Sequence, residues 1–255
     1  MSLTVEVVGY KGVVGNATYQ WFKAMHPELE VIGRDKGDAI ECKDMAKIVS
    51  FICTPETIVE EVCSEVAQYA ELMVIRSTVK PLTCQKIQKE TGIHTCHNPE
   101  FLREATAVMD KFNQEFMVVG ACCEEHAETL VKLYEVALTP IVVTDTVTSE
   151  FTKLAINNYL ATIITFWNEI EQLAQGVGTT GHKVGAIASL DSRISSYGAR
   201  YHQPFGGRCL PKDLKQTIQF GESIGINATL LNKVEEINEC LKLSLLSQRT
   251  MRKEQ

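Results

Sequence analysis

The stretch FGGRCLPKDLKQ, residues 205–216, sets two glycines and a cation before a thiol, then a lysine and an aspartate at the start of what reads as a helix. A thiol in that setting is either incidental to a glycine turn or a nucleophile. Sulfur suits the second role because it is nucleophilic near neutral pH and leaves well. It then needs positive surroundings to lower its pKa. Arg208, Lys212 and Lys153 are candidates by type, and the first helical turn after Cys209 adds a dipole contribution. Three other stretches carry similar potential: STVKP (77–81), NPEFLRE (98–104) and SEFTKLAINNYL (149–160). Taken singly they are bland. Thr78 sits in a turn after a strand. Glu100 and Glu104 read as a solvated pair. Lys153 and Asn157, four apart on one helix face, read as exposed, as their residue types mostly are.

A second group lies near the N-terminus. A β-branched run, LTVEVVG (3–9), leads into Gly9-Tyr10-Lys11-Gly12-Val13-Val14-Gly15 and then a helix over NATYQWFKAM. The dinucleotide fingerprint G-x-G-x-x-G uses its glycines for a tight turn, close approach to the pyrophosphate and close helix packing. The helix N-terminus supplies N–H groups for the phosphates. Here the spacing is one residue longer at the front. Gly12 and Gly15 keep the second and third roles, Gly9 is displaced, and Lys11 stands where it can reach a phosphate. Asp35 follows Gly15 by twenty residues at the end of a second strand, the place of a carboxylate that binds the ribose hydroxyls of NAD. Arg34 beside it keeps NADP open.

These groups need a frame. Strands are expected at ELEVIGRD, KIVSFICTP, ELMVIRST, IHTCHNPEF, FMVVGA and PIVVTDT after the first, alternating with helices, which implies a parallel, doubly wound sheet. From Thr146 the character changes to one long helix, with Ser149 as N-cap and GVG (176–178) as stop, then three more helices and no strand. The expected architecture is α/β: a Rossmann-type parallel-sheet domain over 1–145, then an all-helical domain over 146–255 that carries the cysteine. The tail RTMRKEQ reads as frayed. With 255 residues, 45% hydrophobic and 22% charged, the composition is that of a globular protein. A net charge of −7 argues against a nucleic-acid or anionic-membrane binder. No apolar run approaches the ~18–20 residues that span a bilayer, and the strand-like N-terminus shows no basic leader, so a cytoplasmic protein is expected. Nine cysteines (42, 53, 63, 84, 96, 122, 123, 209, 240) are scattered without C-x-x-C or zinc spacing. Free thiols and no metal are therefore expected, Cys53 being a small core residue.

Together and in this order, STVKP, NPEFLRE, the Lys-x-x-x-Asn helix and GGRCLPKD resemble the UDP-glucose/GDP-mannose dehydrogenase family. The resemblance runs over essentially the whole chain. It implies an NAD-dependent oxidation of the C6 alcohol of a nucleotide sugar to a carboxylate, with Cys209 as nucleophile. It implies an oxyanion-side pair in Lys153 and Asn157, a catalytic Asp213, and Thr78 beside the hydrolytic water. Glu100 matches the glutamate of thioester hydrolysis, and Glu104 a second glutamate near the sugar and cofactor. Phe205, Gly206, Gly207 and Lys212 fall to the substrate; Thr54, with the Gly9–Gly15 loop and Asp35, to the cofactor. The segment DSRI places Arg193 where the family's arginine reaches substrate across a dimer interface, which makes the helix over 149–176 the dimer-forming one.

The chain departs from the pattern in two places. It stops where the family continues into a domain that grips the substrate nucleotide. On that reading a separate chain supplies the grip, the substrate is smaller or differently held, or binding is weak. The interval KGDAIECKDMAKIVS is also short, which trims the adenosine side of the cofactor pocket. Two alternatives stand beside the main reading: a binding or regulatory protein that keeps the fold, and a two-electron enzyme like 6-phosphogluconate dehydrogenase, which has no use for a covalent cysteine.

Overall fold

The computed structural model describes residues 3–38, 47–199 and 201–251. The chain divides into two compact units, Met1–Lys153 and Leu154–Gln255.

All seven expected strands form: β1 Leu3–Val8, β2 Glu30–Arg34, β3 Lys47–Ile52, β4 Leu72–Ile75, β5 His94–His97, β6 Met117–Ala121 and β7 Ile141–Asp145. They make one sheet in the order β2-β1-β3-β4-β5-β6-β7. Side chains alternate between its faces, as a strand's period of two requires. Val5, Val7, Val49, Phe51, Leu72 and Val74 face one core with Trp21 and Phe22 of α1 (Val13–Met25) and Leu130, Leu133 and Tyr134. Val8, Ile52, Met73 and Ile75 face a second core with Val59, Cys63, Cys84 and Ile87. Cys53 packs against the first core, where burial pushes its thiol up to about 11.

One expectation is corrected. The sheet is not wholly parallel, because β5 and β6 pair antiparallel through His97↔Gly120. The segment between them returns from the end at which β5 leaves instead of crossing the sheet, and it holds a 3-10 turn, Glu104–Thr106, and a short helix, α4 Ala107–Phe112. β6 and β7 are again parallel, joined through α5 Glu124–Tyr134.

Two buried polar groups of the sheet region are paired several times over. Glu6, facing away from Val5 and Val7, accepts from Arg34 Nε (2.9 Å), Ser50 Oγ (2.6 Å) and Tyr69 Oη (3.0 Å). After β5, Asn98 Oδ1 accepts from Arg76 and from Tyr134 Oη (2.6 Å), while its amide donates to the Val118 carbonyl (2.6 Å). That fixes the turn into Pro99-Glu100.

The long helix, α6, runs Thr146–Gly176, three residues ahead of its expected start. Asp145, not Ser149, caps it: Thr148 donates to Asp145 through its backbone N–H (2.9 Å) and its hydroxyl (2.6 Å). Ser149 is inside the helix and buried, 2.8 Å from His97 Nδ1. Next to it, buried Glu150 accepts from the backbone N–H groups of Leu82 (2.7 Å) and Cys84 (2.8 Å). It thereby caps the N-terminus of α3 (Thr83–Thr91) from another element. Among the described residues, the second unit contains only helices besides its loops: the rest of α6, α7 Gly181–Ala188, α8 Leu210–Ser223 and α9 Thr229–Met251. The first three residues of the expected frayed tail, Arg249–Met251, continue α9; 252–255 lie outside the described residues.

His97 shows how dry this packing is. Its Nε2 faces the Ser77 carbonyl at 3.4 Å, which can only accept. The proton therefore sits on Nε2, and Nδ1 accepts from the Ser149 hydroxyl. Burial is the main cause that pushes the imidazole pKa down from 6.5 to about 3. The unfolded chain thus takes up this proton below pH 6.5 and the folded chain does not, so stability present above pH 6.5 is lost as pH falls towards 3. The slope from this one group reaches about 1.4 kcal/mol per pH unit. Urea unfolding between pH 7 and 5 is expected to show a steeper loss in the parent than in His97→Gln. Equal slopes would remove this role for His97.

Candidate active site

The glycine loop lies between β1 and α1. Gly9 takes a left-handed φ of +84°, and Gly12 is the residue before the first helical turn. A Cβ on Gly15 would overlap the Gly9 carbonyl, so the loop closes tightly on the helix. The first-turn N–H groups of Val13, Val14 and Gly15 have no partner within the helix. Asp35 at the end of β2 accepts from the backbone N–H of Lys11 (3.2 Å) and of Lys36 (2.9 Å), which ties strand end to loop. Lys11 itself is exposed, its Nζ 4.0 Å from Asp38.

Gly9, Gly12, Asp35, Thr54, Pro55 and Val62 are among the residues that line a cavity of about 410 Å³, within the range of ligand sites. Thr54 Oγ1 is buried there with no hydrogen-bond partner. A tight loop, an open helix N-terminus, an acid at the strand end and an orphaned hydroxyl fit a dinucleotide. Arg34, also on this wall, is engaged by buried Glu6, so a 2′-phosphate has to compete with a carboxylate for it. The trimmed interval read as the adenosine side lies, over residues 39–46, outside the described residues, and Cys42 with it.

Lys153 and Asn157, expected to be exposed, are 4% and 7% accessible. The expectation followed residue type; partners override it. Glu100, expected to be solvated, is buried as well. Its Oε1 lies 3.6 Å from Lys153 Nζ, and its Oε2 accepts from the Leu102 N–H (2.7 Å). The ammonium also stands 5.3 Å from the centre of the Phe101 ring. Glu104 opens a 3-10 turn, Glu104–Thr106, and is exposed. Thr78, after β4, is half-buried.

In the second unit, Cys209 is exposed and sits immediately before α8, at the helix's positive end. Pro211 in the first turn suits that start. One turn on, Asp213 is fully buried. Its Oδ2 accepts from the Asn157 amide, and Lys212 Nζ stands 2.9 Å from Oδ1 as an ion pair. The open space beside Gly206 and Gly207, the latter at φ +76°, leaves the backbone approachable. Arg193 is on the surface, paired with Asp191 by two contacts of 3.0 and 2.6 Å.

Two asparagines that residue type did not single out position the thiol loop. Asn168 Nδ2 donates to the Gln203 carbonyl (3.0 Å) and its Oδ1 accepts from the Gln203 N–H (3.1 Å). Asn238 does the same at Phe205, at 3.1 and 2.8 Å. Both are buried. No spacing motif marks them, since their partners are backbone groups 33 to 35 residues away.

Two models of the UDP-glucose/GDP-mannose dehydrogenase family match the chain: the NAD binding domain over residues 50–138 and the central domain over 147–240. The UDP-glucose 6-dehydrogenase of Rickettsia felis is 36% identical over 176 residues, covering 66% of this chain and 39% of that protein. The GDP-mannose 6-dehydrogenase of Pseudomonas savastanoi pv. phaseolicola is 32% identical over 233 residues, covering 80% of this chain and 52% of that protein. The chain thus spans about half the length, or less, of these relatives. Among solved structures, a UDP-glucose dehydrogenase from Pyrobaculum islandicum superposes with a TM-score of 0.83 at 25% identity, over 98% of this chain and 72% of that one.

The Asn238 clamp is testable by itself. Asn238→Ala leaves the Phe205 N–H and C=O buried without partners, at about 1–3 kcal/mol for each group. Asn238→Asp keeps the acceptor and loses the donor, so its cost should be intermediate in urea unfolding. An alanine variant as stable as the parent would show that the clamp carries no energy.

Proposed function

The chain belongs to the UDP-glucose/GDP-mannose dehydrogenase family, and we propose that it carries out the NAD-dependent, four-electron oxidation of the C6 alcohol of a nucleotide sugar to the uronate, with Cys209 as covalent nucleophile. The observation that carries this reading is an exposed thiol at the start of α8 with a buried Asp213 one turn below it, held by Asn157.

The loop from Gly9 to Gly15, Asp35 and Thr54 would hold NAD rather than NADP, since Glu6 already neutralises Arg34. Two molecules of NAD, bound in turn, would each take up one of the two hydrides that separate an alcohol from an acid. Cys209 retains the carbon between those events. Its Sγ bonds to the aldehyde carbon, and the carbonyl oxygen takes a proton, giving a thiohemiacetal. At the acid level of oxidation the adduct is a thioester. Water then breaks its C–S bond, releasing the carboxylate and returning the thiol.

Negative charge passes onto the C6 oxygen at each stage, and Lys153 with the Asn157 amide is the pair suited to hold it. Both are buried, which strengthens the attraction by excluding water. Glu100 or Asp213 serves as base for the hydrolytic water, with Thr78 positioning it. Lys212, Phe205 and Glu104 are assigned to the sugar side. The nucleotide end of the substrate is assigned to no residue of this chain.

The same reading makes α6 the centre of a homodimer, with Arg193 directed to the partner's substrate. Support comes from the exposed Phe151, Tyr159, Phe166 and Leu173, which recur every seven or eight residues along α6. A stripe of that period lies on one side of a helix. Light scattering should give a dimer mass for the parent and a monomer for Phe166→Glu with Leu173→Glu. A parent that is monomeric at micromolar concentration would discard the dimer. No helix among the described residues is long and apolar enough to cross a membrane.

The chemistry is tested with the purified chain, NAD and a panel of nucleotide sugars, following nicotinamide absorbance and product mass. Two reduced cofactors per uronate are expected, with no uronate from Cys209→Ala. Full uronate formation by that variant would end the covalent mechanism. One reduced cofactor per product would mean a simple alcohol dehydrogenase.

A further inference from the structure

We propose that His94, Cys122, Cys123 and His126 form a binding site for one zinc-class divalent cation, which staples the sheet where it reverses direction and takes no part in the oxidation. Their ligand atoms all lie within 4.8 Å of one another. Cys122 Sγ is 3.5 Å from Nδ1 of both His94 and His126, and Cys123 Sγ is 3.0 Å from His126 Nδ1. A tetrahedral S₂N₂ site with Zn–S ~2.3 Å and Zn–N ~2.0–2.1 Å has edges of about 3.3–3.8 Å. The observed separations bracket that figure. Two thiols and two imidazoles without a carboxylate favour zinc over magnesium or calcium.

The fold explains the convergence. Extending the His97↔Gly120 register by three residues sets His94, which opens β5, opposite Cys123, which follows β6. Cys123 immediately precedes α5, and His126 lies in that helix's first turn. Three residues apart, they share one face. The two rings are already 4.4 Å apart, centre to centre. Sequence spacing hides this set because the ligands come from two elements, and the cysteines are adjacent rather than in C-x-x-C.

An ion can reach the site. His94 is exposed, both cysteines are half-buried, and Cys122 lines a surface cavity of about 470 Å³. On binding, the two thiols release their protons to solvent. Four protein ligands close the coordination shell, the arrangement of a structural rather than a catalytic ion. The gain is mechanical: the antiparallel junction has a single registered pair, and the ion adds a cross-link at its far end. The competing fate of Cys122 is a bond to Cys96, whose sulfur is 3.7 Å away.

The test uses the full chain, reduced and stripped by chelator, then titrated with Co²⁺ and afterwards Zn²⁺. One equivalent of Co²⁺ is expected, with thiolate-to-cobalt absorption and tetrahedral d–d bands that Zn²⁺ abolishes, and Zn²⁺ should raise Tm. Cys123→Ser and His94→Gln, at accessible positions, should weaken binding by more than the ~10–100-fold typical of losing an outer-shell partner. Cys240→Ser, on α9, should leave the spectrum unchanged. Absence of stoichiometric binding, bands that survive in both ligand variants, or Cys122 recovered in a disulfide with Cys96 after the reductant step would overturn the site. None of these readouts needs turnover, so failure of the oxidation assay leaves this test intact.

Discussion

Polar groups leave water only at a cost unless they find partners, and α6 buries many of them. Ser149, Glu150, Lys153, Asn157, Asn158, Asn168 and Glu171 are all buried on this one helix. Each has its answer: His97 for Ser149, the α3 N-terminus for Glu150, Glu100 for Lys153, Asp213 for Asn157. Thr217 meets Asn158 at 2.7 Å, Gln203 meets Asn168, and Gly181 donates to Glu171. Matched hydrogen bonds hold the helix alongside the buried apolar side chains of Leu154, Ile164 and Trp167. Phe151, Tyr159, Phe166 and Leu173, also on α6, are exposed. Matched bonds are directional, so each half of the chain has one way to seat its length of α6. The groups suited to chemistry inherit that fixed position.

The thiol loop shows the same economy. Gly206, Gly207 and Cys209 are exposed, and a loop of that kind has few apolar contacts of its own. Its approach is fixed instead by Asn168 and Asn238, each satisfying both backbone groups of one residue. Downstream, α8 begins at Leu210 and anchors through Leu214 and Ile218, which pack with Ala161 and Ile164 of α6 and Val234 of α9. The Cys209 thiol therefore stays accessible while both its flanks are held.

The strands were legible because β-branched runs bounded by turn residues have few other uses, and the long helix because its period persists over many turns. The β5–β6 reversal was not, since His97 and Gly120 carry no mark of pairing direction. Nor was the burial of Lys153, Asn157 and Glu100. Average exposure is a property of a residue type, whereas burial here depends on a partner far away in sequence. The start of α6 was misplaced because Ser149 is a good capping type, yet Asp145 stands earlier with the geometry to do it. What the resemblance carried was an expected role for each residue; what the structure adds is the set of contacts that keep those residues in place.

Glu150 has one more implication, for the order of assembly. Helix α3 belongs to the middle of the sheet unit by sequence, yet the carboxylate that closes its N-terminus arrives only after β7, 66 residues beyond Cys84. During synthesis, α3 must wait with open N–H groups until the first turns of α6 have left the ribosome. A cut between Asp145 and Glu150 separates the sheet from its own fastener, so the natural seam of the chain lies inside a helix rather than in a loop.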